Sequence, residues 1–454
     1  MRNDLDDRTS PETAALARFL AETDDADVPD DVLAESRRCL LDFLGVTIGA
    51  VDAEAPRLVR AYVRELGGHP QALLLGTADR VRATDAALAN GVAGHVFDFD
   101  DTHVPTILHP TVPLYASSLA LAQWRGLTGS EVVRAHALGY EVGARVSLAL
   151  YPTHYDIGWH MTGTTGTLAA ASASAVLAGL TPGEVVYALG LASTQASGHR
   201  EHFGSMTKSF HSGRAAADGL TSALLAGHGY TTAPDPIQGR RGLLAVTATD
   251  ADAGRLTDAL GERWEIFRNG VKPYACGVVA HPVIDSVRRL GRDHAIDAEQ
   301  VERIELRVNP LVVELTGRLE PRTGLEGKFS TVFASAIALI DGAAGEHQFT
   351  DTNVVRPDVR ALMARIELRP DTDVPHTQAH ATAVLGDGRT QTVDVLAATG
   401  TPENRMSDDE LAAKYHDLVD PVLGAAQARR LRELVDGVEK ADTLDDLLAA
   451  TIPD

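Results

Sequence analysis

Residues 163–180 read GTTGTLAAASASAVLAGL. Ala, Ser and Thr dominate, so the stretch predicts a helix narrow enough for its neighbours to pack closely against it. Its most apolar part, Leu168–Leu180, is too short and too Ser-rich to span a bilayer. Outward from it, helical spacing recurs over Thr13–Glu22, Asp30–Ala50, Ala53–Leu66, Ala83–Val92, Leu114–Arg125 and Ser130–Leu150 on one side, and over Pro182–Ser197 and Ser212–His228 on the other. No convincing strand alternation occurs before Phe267, which predicts an all-helical domain over residues 1–267.

The texture then changes. Ile304–Val308 alternates, and Gln378–Leu385 and Thr390–Leu396 flank Gly386-Asp387-Gly388, a hairpin signal. Helical patterns at Val283–Leu290 and Ser330–Ile340 interleave with these strands, giving an α+β unit over residues 268–403. Residues 404–454 return to helical spacing and open on a capping-box pattern, Ser407-Asp408-Asp409-Glu410. The expected fold is mainly α: a large all-helical domain plus a smaller α+β lid domain inserted before C-terminal helices that rejoin the first.

The chain has 454 residues, 44% of them hydrophobic, enough for a large core. It opens MRNDLDDRTSPET, with no apolar leader, so the expectation is a soluble, cytoplasmic protein. A net charge of −22 argues against nucleic acid, whose phosphates require a basic surface. Cys39 and Cys276 are too few for a disulfide framework or a thiolate metal site. Only five of the 41 basic residues are lysine (Lys208, Lys272, Lys328, Lys414 and Lys440). An acidic, lysine-poor composition suits a halophilic protein, and it makes each retained lysine informative.

Asn90–Pro110, NGVAGHVFDFDDTHVPTILHP, alternates acids and histidines with apolar residues. That pattern sets ionisable groups against a buried wall, where desolvation moves pKa values toward neutrality. Read blandly, the acids cap helices and the histidines sit in satisfied hydrogen bonds. Three further clusters follow: His160 just ahead of the small-residue helix, Lys208 and His211 three residues apart, and Lys272-Pro273-Tyr274-Ala275-Cys276-Gly277 before His281 at the predicted domain seam. A different class is also open: His95-x-x-Asp98-x-Asp100-Asp101-x-His103 has the composition of a hard-cation site.

The motifs NGVAGHVFDFDDTH…HPT, GYEVGARV, GWHMTGTTGT, STQASG, MTKSFHSGRAAADGL and KPYACG…HPVIDSV occur in the order and spacing of the MmgE/PrpD family, which this chain resembles from about residue 30 onward. The resemblance implies a dimer that needs no metal or organic cofactor and acts on a di- or tricarboxylic acid, as 2-methylcitrate dehydratase, cis-aconitate decarboxylase and iminodisuccinate epimerase do. Carried over by motif, Asp98, His109, His160, Lys208, Lys272 and His281 are expected to line the cleft; Asp98, His109, His160, Lys208 and His281 are the expected catalytic residues, and Lys272, together with His211, His103 and Tyr274, is expected to bind substrate. Two places depart from the pattern: Phe333 stands where the decarboxylase has a tyrosine, and GWHMTG replaces a proline-containing GFHP.

Chemistry beside a carboxylate builds charge on oxygen. Lys208, Lys272 and protonated histidines are expected to stabilise it in a locally cationic hollow. His160 or His109 is the expected base, and Asp98 with a raised pKa, or His281, the acid for a leaving hydroxyl. The reading is a 2-methylcitrate dehydratase-like hydro-lyase; a decarboxylase or epimerase in the same pocket and a catalytically silent relative are the alternatives.

Overall fold

The computed structural model describes residues 5–453. The chain is 59% helical and 9% strand, hence mainly α. Six helices frame the site: α1 (Asp30–Gly49), α2 (Ala83–Val96), α3 (Thr111–Arg125), α4 (Gly129–Leu150), α5 (Met161–Leu177) and α6 (Met206–Gly227). The small-residue stretch is α5, and every residue from Met161 to Ala175 is buried among α3, α4, α6 and the Pro182–Gln195 helix. A Cβ on Gly143 would stand 2.5 Å from the Cβ of Ala169, and one on Gly219 equally close to that of Ala170. Any larger residue would force the helices apart. Several buried hydroxyls are satisfied within the helix itself: Thr165 and Thr167 donate to the carbonyls of Met161 and Gly163 at 3.0 and 2.8 Å.

Helices α2 and α6 cross backbone to backbone. A Cβ on Gly91 would lie 2.7 Å from the Cα of Gly213, and one on Gly213 would lie 2.4 Å from the carbonyl oxygen of Leu88. Both helices run further than apolar spacing indicates. α2 continues past Val92 to take in His95, and α6 begins at Met206 rather than Ser212. The reason is the same in each: these turns bury polar residues (His95, Lys208, Ser209, His211), which interrupts the apolar periodicity where the site is built.

A four-stranded sheet lies in the C-terminal region: β1 (Val301–Val308), β2 (Ile366–Pro370), β3 (Ala379–Leu385) and β4 (Thr390–Val395), in the order β2-β1-β3-β4. β1 and β2 are parallel with Ile304 opposite Ile366, and β1 and β3 antiparallel with Leu306 opposite Ala381. The hairpin β3–β4 turns at Gly386-Asp387-Gly388, where Gly388 has φ 86°. Helix α7 (His281–His294) packs on β3 and β4, and α8 (Thr331–Asp341) packs on α7. After the sheet, α9 (Asp408–Leu423) packs on α1. It begins with the expected box: the Glu410 N–H donates to Ser407 Oγ at 3.2 Å and the Ser407 N–H to Glu410 Oε2 at 2.8 Å. Among the described residues no helix is long and apolar enough to cross a membrane.

Candidate active site

The chain leaves α2 through Phe97-Asp98-Phe99, and Asp98 takes φ 51°, a left-handed conformation uncommon for any residue but glycine. Its carboxylate is buried. Nζ of Lys208, in the first turn of α6, lies 2.8 Å from Oδ1; Nζ of Lys272 lies 2.8 Å from the same oxygen and 2.9 Å from the Asp98 carbonyl. The glycine crossing of α2 and α6 delivers Lys208. Lys272 is delivered by a two-residue antiparallel pairing, Thr102 opposite Gly270 and His103 opposite Asn269, too short to show alternation in the sequence.

Two lysines that the sequence motifs pass over complete a cage. Nζ of Lys328 donates to the carbonyls of Phe97 and Ala275 at 2.8 and 2.9 Å and pairs with Glu346. Nζ of Lys414 donates to the Phe99 carbonyl at 2.7 Å and forms an ion pair with Asp42 at 2.6 Å. Four of the chain's five lysines thus hold three consecutive residues. Lysine scarcity was the signal that could have found them.

Burial alone would raise the Asp98 carboxyl, but the ammonium groups of Lys208 and Lys272 outweigh it and hold the group well below the usual range. Asp98 is therefore ionised, and the expectation of a raised, acid-donating Asp98 is corrected. Within this stretch it is Asp101 that is raised, pushed up to about 7 by burial while accepting from Thr111 and Asn269. The histidines are neutral: burial first, then Lys208 for His160 and Lys272 for His109, holds both well below the usual imidazole value. In this hollow two ammonium groups therefore share one carboxylate, and the neutral histidines add no charge of their own.

Tautomers follow from partners. His109 Nδ1 faces the Asp101 carbonyl at 2.8 Å and must carry the proton, which leaves Nε2 as an acceptor. His95 Nδ1 lies 2.7 Å from Asp100 Oδ2, and His160 Nδ1 lies 3.0 Å from His211 Nδ1. The Nε2 atoms of His95 and His160, and Oδ2 of Asp98, are buried without partners among the described residues. Such groups are costly unless a ligand meets them.

Asp98 and His160 line a cavity of about 30 Å³. Asp98, His109, Tyr155, His160, Lys208 and Thr316 are its polar lining; Ile107, Phe203, Val278, Val279, Leu315 and Phe329 are apolar. Ile107, β-branched yet at φ 59°, is a second strained residue in the wall. The Tyr155 hydroxyl, unmarked by any motif, is also buried without a partner.

Of the nine residues named from sequence, Asp98, His109, His160 and Lys208 share the cavity wall, with Lys272 directly behind Asp98 and His211 behind His160. Three lie elsewhere. His281 Nε2 donates to the Cys276 carbonyl at 3.2 Å, His103 bonds Thr106 and Glu265, and the Tyr274 hydroxyl donates to Asp285 while accepting from Arg288. Each is a satisfied buried group outside the cavity lining, because its polar atoms are already spent on its own neighbours. Phe333 is also outside the lining, packed on Phe349, so that departure from the decarboxylase pattern does not shape the cavity.

His95, His109 and His160 offer nitrogens within 4.8 Å of one another, as do oxygens of Asp98 and Asp100 with His109. A divalent ion there would sit against Lys208 and Lys272, which already neutralise Asp98. The donor set fits an anionic, hydrogen-bonding ligand better than a hard cation.

A buried set of neutral imidazoles beside a doubly paired carboxylate is an arrangement for moving protons without water. Residues 14–256 match the MmgE/PrpD N-terminal domain and residues 274–440 the MmgE/PrpD C-terminal domain, and the chain belongs to this family. It is 27% identical to a cis-aconitate decarboxylase-like protein of Aspergillus oryzae over 96% of both chains. It is 25% identical to a cis-aconitate decarboxylase of Aspergillus terreus (96% of this chain, 95% of that one) and 27% identical to that of Mus musculus (93% and 89%).

Proposed function

We propose that this protein is a lyase that acts on a di- or tricarboxylic acid without a metal or organic cofactor. The observation that carries it is the cavity in which Lys208, Asp98, His109 and the unpartnered Nε2 of His160 meet. Lys208 meets a substrate carboxylate, and an imidazole exchanges a proton with the adjacent carbon. Loss of CO2 is the favoured outcome: the carboxylate leaves, its bonding pair passes to the neighbouring carbon, and one proton is taken up there. Full-length relatives named as cis-aconitate decarboxylases support it. The second reading, loss of water as in 2-methylcitrate dehydratase, needs in addition an acid for the hydroxyl, and the ionised Asp98 is a poor one. In the same reading, residues 268–403 form a lid over residues 1–267, with 404–454 rejoining the latter, and the protein works as a cytoplasmic homodimer.

Incubation with cis-aconitate, 2-methylcitrate and related acids, followed by NMR for CO2 release, water loss and deuterium uptake, tests this. Release of CO2 that persists in chelator is expected. Water loss alone would transfer the assignment to the second reading, and inertness toward every acid would remove both.

A further inference from the structure

His160 and His211 meet Nδ1 to Nδ1 across 3.0 Å, an uncommon pairing in which only one of the two atoms can carry the proton. The pair is built, not incidental. The Gly198 carbonyl accepts the His160 N–H at 2.9 Å, and a Cβ on the same glycine would stand 3.1 Å from Cγ of the His211 ring. Beyond His211 (7% exposed), the ring of exposed His202 lies at 5.9 Å and that of exposed His199 6.4 Å further on. A file of imidazoles therefore runs from the surface to the cavity. The charged and titratable groups around it are Lys208, His95 and His109 at His160, and Lys208, His95, His202 and His199 at His211.

We propose that His211 is a positioning and proton-relay residue that feeds His160 with solvent protons while the cavity is closed. The inference rests on the proposed lyase function, because decarboxylation consumes one proton per turnover in a space with room for about one water molecule. In the loaded state His211 Nδ1–H donates to the bare Nδ1 of His160, and His160 carries its proton on Nε2. As Nε2–H is delivered to the substrate carbon, the proton between the two Nδ1 atoms crosses to His160 and His211 takes one from solvent on its own Nε2. Both rings end neutral with their tautomers exchanged, and one solvent proton has entered the product. Opening of the cavity to water resets the pair.

Two measurements on the full chain decide it. In nitrogen-15 histidine spectra of the substrate-free protein, with His160 assigned by loss of its signals in His160→Gln, both His160 nitrogens should show shifts between the protonated and bare limits. In His211→Asn they should settle to one tautomer; a single fixed tautomer in the wild type overturns the relay. With an acid that the wild type decarboxylates, His211→Asn still offers His160 a hydrogen-bond partner but cannot relay. Its kcat should fall at least about tenfold with KM unchanged, and added imidazole should restore part of the loss. Wild-type kcat in His211→Asn would reduce His211 to a structural prop. Should no acid be turned over, the lyase assignment falls while the nitrogen spectra still decide the pair.

Discussion

Nζ of Lys208 and Nζ of Lys272 donate to one and the same oxygen of Asp98, each across 2.8 Å, and the second oxygen is left without a partner. Two cations thus depend on one carboxylate. Asp98→Asn should cost about 3–5 kcal/mol in urea unfolding because it strands both ammonium groups. Adding Lys208→Met to it should recover part of that loss. Lys208→Met alone should be milder for stability, since Lys272 still neutralises Asp98. Turnover should nevertheless drop at least about a hundredfold in Lys208→Ala and in His160→Ala.

The lysine cage gives a second expectation with its own control. Lys414→Met strands Asp42 and the Phe99 carbonyl, and Lys328→Met strands Glu346 and two carbonyls. Each should lose about 3–5 kcal/mol of stability. Exposed Lys440 makes no such contact, and Lys440→Met should fall within about 0.5 kcal/mol of wild type. Equal effects at all three positions would dissolve the cage.

Acidification should unfold the protein from about pH 6.5 downward. Burial holds nine histidines (95, 103, 109, 136, 154, 160, 211, 281 and 376) below the usual value, His136 and His281 at about 3 and His154 and His211 at about 4. A depressed imidazole is neutral when folded, so below its unfolded value of about 6.5 the unfolded chain binds more protons and stability falls with pH. Five buried acids oppose this, Asp101 and Glu141 most clearly, both raised by burial to about 7, with Asp42, Asp218 and Glu346 also raised. The histidines outnumber them, so the urea midpoint should drop between pH 7 and pH 5; an unchanged midpoint would contradict the neutral-histidine description.

A cavity of about 30 Å³ does not hold a tricarboxylate. Binding is therefore expected to displace part of the lining, and Val278, Val279, Leu315 and Phe329 are the apolar residues there that approach from residues 277–329. Bound acid should slow amide hydrogen exchange around residues 277–279 and 315–329 and leave the buried Met161–Ala175 turns unaffected. Protection confined to α5 would place the ligand elsewhere.

The −22 charge predicts that stability and activity collapse below about 1 M salt, through self-repulsion of the unscreened surface. A flat salt dependence would leave arginine-rich composition as the remaining account.

The helical frame was legible because Ala, Ser and apolar periodicity persist over many turns, and the hairpin because Gly386-Asp387-Gly388 marks it. Legibility stopped where polar residues are buried. The first turns of α6 and the last of α2 were lost to the periodicity that Lys208, His211 and His95 interrupt. The motifs pointed to Asp98, His109, His160 and Lys208, which share the cavity wall, but also to His281, which does not line it, and His103 and Tyr274, expected beside them, lie outside it as well. Their hydrogen bonds to Glu265, Asp285 and Cys276 are contacts no spacing reveals. The charge state of Asp98 depended on two lysines 110 and 174 positions away.

The crossing at Gly91 and Gly213 sits four residues from His95 and five from Lys208. Main chain touches main chain there, so no substitution can bring the imidazole and ammonium arms closer, and almost any would splay them. One jaw of the cavity therefore has a fixed gauge. Variation in the acid accepted is then expected at lining residues carried by other segments, such as Val278, Leu315 and Phe329.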